Sequence, residues 1–195
     1  ARGGEVGAFS QAIAGSQGFN LERQVSRTLR HDPDYVTVTI GANDVCTWGR
    51  RFRADLRAFK GYLTAAIQRL VDANPAVKIY LAPIPDIVNL KQVARDQPSC
   101  QMRWNLLGIC TPLLGESVTP EQEEEFYERW VAANDALEEV ATEYPDNVLF
   151  DRDLADTPFQ WEHVSSMDCF HPNVAGQALQ AETTWDLFSA DIIGR

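Results

Sequence analysis

The sequence predicts an α/β fold, a three-layer α/β/α sandwich built on a parallel sheet, and two observations carry that expectation. Short β-branched or continuously apolar runs alternate along the chain with segments whose apolar residues recur at helical spacing. No internal repeat, low-complexity tract or linker interrupts the alternation, so residues 1–195 read as one domain. A chain of this size buries about 70% of its unfolded surface and can hold a core of its own.

The elements follow in order. Leu21, Val25 and Leu29 form a period-of-four stripe that predicts a short helix from Leu21 to Leu29, stopped before Asp32-Pro33. Tyr35 to Ile40 is rich in β-branched residues and predicts a strand, whose end runs into a loop at Gly41-Ala42-Asn43-Asp44. Leu56, Phe59, Leu63, Ile67, Leu70 and Val71 place a helix over Arg53 to Ala73, closed by Asn74-Pro75. Val77 to Ala82 is apolar throughout, as suits a parallel strand covered on both faces. Residues 86–118 read as irregular. Thr119-Pro120-Glu121-Gln122 has the pattern of a capping box with Pro at the first helical position, opening a long helix that Pro145 ends. Val148 to Phe150 predicts a short strand, residues 151–173 a loop, and Val174 to Leu187 a terminal helix. Right-handed crossovers then make the sheet parallel with helices on its faces.

Charge narrows the function. Twenty-eight acidic against 17 basic residues give a net charge of -11, which repels phosphate backbones and anionic membranes but not neutral lipids. Nucleic acid is not an expected partner. No window approaches the roughly 18 consecutive apolar residues of a membrane span. Four cysteines, Cys46, Cys100, Cys110 and Cys169, allow three pairings, and none has the C-x-x-C spacing of a zinc or thioredoxin site. The even count points to two disulfides and a secreted, extracellular or periplasmic setting. The chain opens on Ala1-Arg2-Gly3-Gly4-Glu5, neither a start methionine nor a signal peptide, and the expectation is that an upstream segment has been removed.

Three histidines are available as a general base. His31 follows Arg30 at a helix C-terminus, the place of a capping or surface residue. His163, in Trp161-Glu162-His163-Val164, has no second chemical group at a telling spacing and reads as structural or as a substrate contact. His171 differs, because Asp168-Cys169-Phe170-His171-Pro172 puts a carboxylate three residues ahead of it, just before a helix. A turn can set that carboxylate on Nδ1–H and leave Nε2 for a nucleophile. The alternative is that Asp168 only caps the helix. A metal site at Asp168, Cys169 and His171 is not expected, since no further His or Cys cluster completes it. Asn43, at the end of the strand, can aim its amide N–H at a developing oxyanion, or can simply form an Asx turn.

Strand-G-x-N-D followed over a hundred residues later by D-x-x-H-P before the last helix resembles the SGNH (GDSL) hydrolase family, whose third and fifth sequence blocks fall at Gly41 to Asp44 and Asp168 to His171. Ser10-Gln11-Ala12-Ile13-Ala14-Gly15 is similar to the second block, with Ser10 where the family has Asn. The resemblance covers essentially the whole chain and implies a flavodoxin-like sandwich. It further implies that His171 is the base, Asp168 its orienting carboxylate, and Asn43 with the Gly15 N–H the oxyanion hole, with no metal or organic cofactor. Cys46 just after G-x-N-D and the D-C-F-H run look most like the secreted lipase and phospholipase-B-like branch.

The family's first block, an apolar strand followed by Gly-Asp-Ser, has no counterpart here. Ser10 and Ser16 do not follow an apolar strand, so the expected nucleophile is a Ser in a strand and loop upstream of Ala1, supplied by an N-terminal segment or chain. The implied activity is hydrolysis of carboxylic esters of lipids or small acyl compounds through an acyl-enzyme. Carbohydrate deacetylation is the alternative within the same chemistry, and a non-catalytic binding domain the alternative outside it. Trp104, Leu106, Leu107, Phe159 and Trp161 can line an acyl pocket or simply pack the core. The short separation of Cys100 and Cys110, and the convergence expected of the Cys46 and Cys169 loops, predict the pairs Cys100–Cys110 and Cys46–Cys169.

Overall fold

A computed structural model describes residues 7–46, 52–94 and 96–192. The Ala1–Glu5 opening lies outside the described residues. The elements are α1 (Leu21–Thr28), β1 (Tyr35–Thr39), α2 (Ala42–Val45), α3 (Phe52–Ala73), β2 (Lys78–Ala82), α4 (Ile87–Val93), α5 (Pro98–Leu107), α6 (Thr111–Leu114), α7 (Pro120–Glu143), β3 (Val148–Leu149), α8 (Asp153–Asp156) and α9 (Val174–Ile192). Short 3-10 turns sit at Gly18–Asn20, Leu29–His31 and Trp161–His163.

The fold is the expected α/β sandwich. Among the described residues the strands run parallel in the order β1-β2-β3, with Tyr35 opposite Lys78, Thr39 opposite Ala82, and Ile79 opposite Val148. Two successive crossovers in one direction deliver α3 and α7 to the same face, where they pack on each other, with α1 against α3. Alternation along β2 divides its side chains between the two faces. Ile79 and Leu81 are fully buried in a cluster with Leu63, Ile67 and Leu70 of α3 and Leu137 and Val140 of α7. Tyr80 points to the other face, and burial, reinforced by the Asp151 carboxylate, pushes its pKa up to about 12. The predicted stripe on α3 is therefore the core stripe, and the continuous hydrophobicity of β2 reflects cover on both faces.

The capping box is present in full: the Thr119 N–H donates to Gln122 Oε1 at 2.9 Å and the Gln122 N–H to Thr119 Oγ1 at 3.4 Å. Residues 86–118, expected to be irregular, instead carry α4, α5 and α6. Their stops and starts were in the sequence. Asp86 caps α4 by accepting the Asn89 N–H at 2.9 Å, and Pro98 occupies the first turn of α5. The apolar stripe that would have announced α5 is blurred, because Cys100 and Trp104 are buried while Met102, Leu106 and Leu107 face solvent. The expected loop at 151–173 likewise contains the one-turn α8 and a 3-10 turn, Gly41–Asp44 leads into the one-turn α2, and α9 runs past Leu187 to Ile192.

Candidate active site

The candidate residues lie on two loops, of which the first leaves the C-terminal end of β1, the side on which parallel α/β sheets present their chemistry. The first follows β1. Gly41 has φ +108, and a Cβ there would stand 2.7 Å from Ile84 Cδ1 and 3.0 Å from Phe59 Cζ, so both conformation and space demand glycine. The chain then closes α2, with the Val45 N–H donating to the Gly41 carbonyl at 2.9 Å. This turn presents Asn43 and Asp44 toward the segment 13–20.

Asn43 Nδ2 donates to the Ser16 carbonyl at 3.0 Å, and Gln17 Nε2 donates to the Asn43 carbonyl at 3.3 Å. Asp44 accepts the Gly18 N–H through both oxygens, at 3.0 and 3.1 Å. Burial pushes the Asp44 carboxyl above its ordinary range, and the Gly18 N–H opposes that shift. Gly15 precedes Ser16 in a turn closed by the Ser16 N–H on the Ile13 carbonyl at 3.2 Å, and its φ of +78 again favours glycine. The structure therefore brings Asn43 beside the Gly15–Ser16 turn through hydrogen bonds across the two segments. Ser10 is exposed, and the Ser16 hydroxyl accepts from Gln24 Nε2 at 2.9 Å.

The second loop holds Asp168 and His171. Asp168 Oδ1 accepts the backbone N–H groups of Phe170 and His171, at 3.0 and 3.1 Å, while Oδ2 lies 2.6 Å from His171 Nδ1. One carboxylate thus both shapes the turn and contacts the imidazole, whereas the cap of α9 is Asn173, whose Oδ1 accepts the Gly176 N–H at 3.0 Å, and not Asp168. The ring edge carrying Nε2 is turned away from Asp168, and the His171 side chain is 70% exposed. Burial alone would push the Asp168 carboxyl up, but the hydrogen bonds from His171 and from the two backbone N–H groups outweigh it and hold the pKa below the ordinary 3.8.

A carboxyl depressed in the folded state contributes stability above its unfolded pKa and loses it as pH falls through the folded one. Asp168→Asn is accordingly expected to lower the denaturation midpoint at neutral pH, with the gap to the parent closing below about pH 4. Urea titrations at a series of pH values check this. A gap that stays constant down to pH 2 would contradict it.

The loop is held from several sides. The Ser165 N–H donates to the His171 carbonyl at 2.8 Å, and Val164 and Pro172 form an antiparallel bridge. Cys169 has φ +56, uncommon for a residue with a side chain, and is locked there by a disulfide to Cys100 and by Trp104 Nε1 donating to its carbonyl at 3.1 Å. Arg103 donates to the Ser166 carbonyl.

The disulfides correct the expected pairing. The bonds are Cys46–Cys110, with Cα atoms 4.7 Å apart, and Cys100–Cys169, at 5.5 Å. The Cys100–Cys110 pair fails because α5 runs between them. The stretch from Cys100 to Leu107 alone rises about 10 Å, beyond the roughly 7 Å limit on Cα separation in a disulfide. With Cys100 at one end of this connection and Cys110 at the other, each takes one site loop. Both loops are therefore stapled to the same α5–α6 segment. No direct hydrogen bond joins the Asn43 pair to the Asp168–His171 pair among the described residues.

His163 Nδ1 accepts the Gln160 N–H at 3.0 Å, and its ring meets Phe159 edge-on. His31 ends a 3-10 turn and stacks on Phe9 with ring centroids 3.9 Å apart. Trp104 and Phe159 are buried in packing, and Leu106 and Leu107 are exposed, so these residues do not enclose a common acyl pocket. Sequence reasoning missed Arg129, which is buried at 3% exposure and donates from Nη1 to the Val45 carbonyl at 3.3 Å, gripping α2 from below. Nothing in a run of helical charge distinguishes an inward arginine from a surface one.

The model of the GDSL-like lipase/acylhydrolase family matches residues 1–179. A search of curated proteins found no match to the chain.

Proposed function

This chain belongs to the GDSL-like lipase/acylhydrolase family, and from that premise we propose that it is the base-bearing part of a secreted serine esterase that cleaves carboxylic esters through an acyl-enzyme. The observation that supports the reading most is the 2.6 Å contact between Asp168 Oδ2 and His171 Nδ1 in a loop held by a disulfide, an indole donor and an arginine. The nucleophile in this reading is a serine on a segment preceding Ala1. His171 Nε2 takes the hydroxyl proton as Ser Oγ bonds to the ester carbonyl carbon, and Asp168 stabilises the imidazolium. Asn43 Nδ2 and the Gly15 N–H receive the oxyanion. As the tetrahedral species collapses, the C–O bond to the alcohol breaks and His171 returns the proton to the leaving oxygen. Water, deprotonated by the same imidazole, then releases the acid and regenerates the serine. The scheme needs no metal or organic cofactor.

Two disulfides that engage all four cysteines support secretion. The test is turnover of a water-soluble short-chain aryl ester by the full-length protein, beside an acetylated oligosaccharide. Ester turnover with weaker deacetylation is expected. Preferential deacetylation would move the assignment to carbohydrate esters, and no turnover of either would overturn it.

A further inference from the structure

Large apolar side chains stand in water around the Asp168–His171 loop. On α5, Met102, Leu106 and Leu107 are 65%, 81% and 59% exposed, and across from them Met167 and Val174 are both 84% exposed. They form one surface. Leu106 and Leu107 follow Arg103 by three and four residues and flank it on the helix, and Met102, four residues before Leu106, lies beside Leu106. Arg103 donates to the carbonyl of Ser166, the residue before Met167, and Val174 opens α9 three residues after His171. The two amides of α5 are engaged at its flank: Gln101 donates to the Leu114 carbonyl at 2.9 Å and the exposed Asn105 to Glu116 at 3.4 Å. A helix that buries only Cys100 and Trp104 and leaves Met102, Leu106 and Leu107 in solvent presents apolar area for a further contact.

Charge is depleted in the same place. Residues 97–115 contain one charged side chain, Arg103, and residues 163–181 contain one besides two histidines, Asp168. At the chain average of 23% charged, each stretch would hold about four. Both charges are spent internally, Arg103 on the Ser166 carbonyl and Asp168 on His171. Of the 28 acidic residues of the chain only Asp168 falls in these two stretches, leaving an apolar face of low charge on a molecule of net charge -11. Anionic lipid would be repelled by the rest of the protein, whereas a zwitterionic surface would not.

We propose that this face, formed by α5 and the 164–174 loop and stapled together by Cys100–Cys169, docks the protein on electrically neutral lipid surfaces, setting His171 at the lipid–water boundary. The inference rests on the esterase reading for what the surface would deliver to the site. Binding itself requires no turnover.

The experiment is co-sedimentation of the full-length protein with large phosphatidylcholine vesicles, repeated with vesicles containing phosphatidylserine. The parent is expected to pellet with phosphatidylcholine and to bind the anionic vesicles more weakly. Leu106→Ser, Leu107→Ser and Met167→Ser combined should weaken partitioning at least tenfold, since burying each such side chain favours the apolar phase by about a factor of ten. Met167→Ser alone, on the loop, should weaken it several-fold, and Tyr62→Ser, an exposed apolar site on α3, should leave it unchanged. The inference is overturned if the parent stays in the supernatant, if the triple variant binds like the parent, or if anionic vesicles bind more tightly. It is also overturned if sedimentation equilibrium shows a dimer that the triple variant abolishes while vesicles are ignored, for a second copy then covers this face. Vesicle binding without ester turnover would remove the esterase reading and leave this one standing. Turnover of a soluble ester without vesicle binding would do the reverse.

Discussion

His171→Ala in the full-length protein is expected to lower the turnover of a short-chain ester by several orders of magnitude and to leave the fold intact. The magnitude follows from the role. Without a base, the serine hydroxyl is a poor nucleophile near neutral pH, and only binding and oxyanion donors remain to catalyse. The preserved fold follows from exposure, since the ring is largely in solvent and its backbone bonds do not depend on the side chain. His163→Ala is the matched control. It removes the acceptor for the Gln160 N–H and an edge contact with Phe159, which is a cost to a local turn and not to proton transfer. Kinetics and melting curves on both variants read the difference. Equal losses of turnover, or a larger loss at His163, would dismiss the Asp168–His171 assignment.

Asn43→Ala carries the second large effect, a fall of about a hundred- to a thousand-fold in turnover with a smaller change in KM. A donor at the edge of a sheet is rigid, and it favours the oxyanion over the ground-state carbonyl. The structure sharpens the control for this variant. Asn43 does not sit in a local Asx turn alone; its amide reaches across to the Ser16 carbonyl at 3.0 Å. Losing that bond is expected to lower stability by about 1 kcal/mol. A lower melting temperature is thus expected in either case, and turnover per folded molecule is the decisive reading. Unchanged turnover beside a lower melting temperature would confine Asn43 to holding the 13–20 segment.

Much of this arrangement was legible in the sequence where one local pattern decides the outcome. The β-branched run of β1, the core stripe of α3, the capping box at Thr119–Gln122 and the D-x-x-H turn each depend on neighbours in the chain. The disulfide pairing was not, because it depends on a helix whose apolar residues divide between core and solvent. Cys100 and Trp104 alone are too few to mark α5 against the outward Leu106 and Leu107. Once α5 is missed, Cys100 and Cys110 look like neighbours, when Cys100 lies in the first turn of α5 and Cys110 beyond its C-terminus at the start of α6. The role of Asp44 was hidden for a related reason. Its partner, the Gly18 N–H, lies 26 residues away, and no spacing rule connects them. Arg129 and its grip on Val45 belong to the same class of long-range contact.

A covalent adduct tests the serine mechanism most directly. A fluorophosphonate, whose tetrahedral phosphorus mimics the acyl-transfer intermediate, should label the full-length protein once, displacing fluoride with a serine oxygen. Peptide mapping should place the label on a serine upstream of Ala1, and His171→Ala should slow labelling by several orders of magnitude. A label on Ser10 or Ser16, a rate indifferent to His171, or no adduct on a folded protein that hydrolyses esters would contradict it.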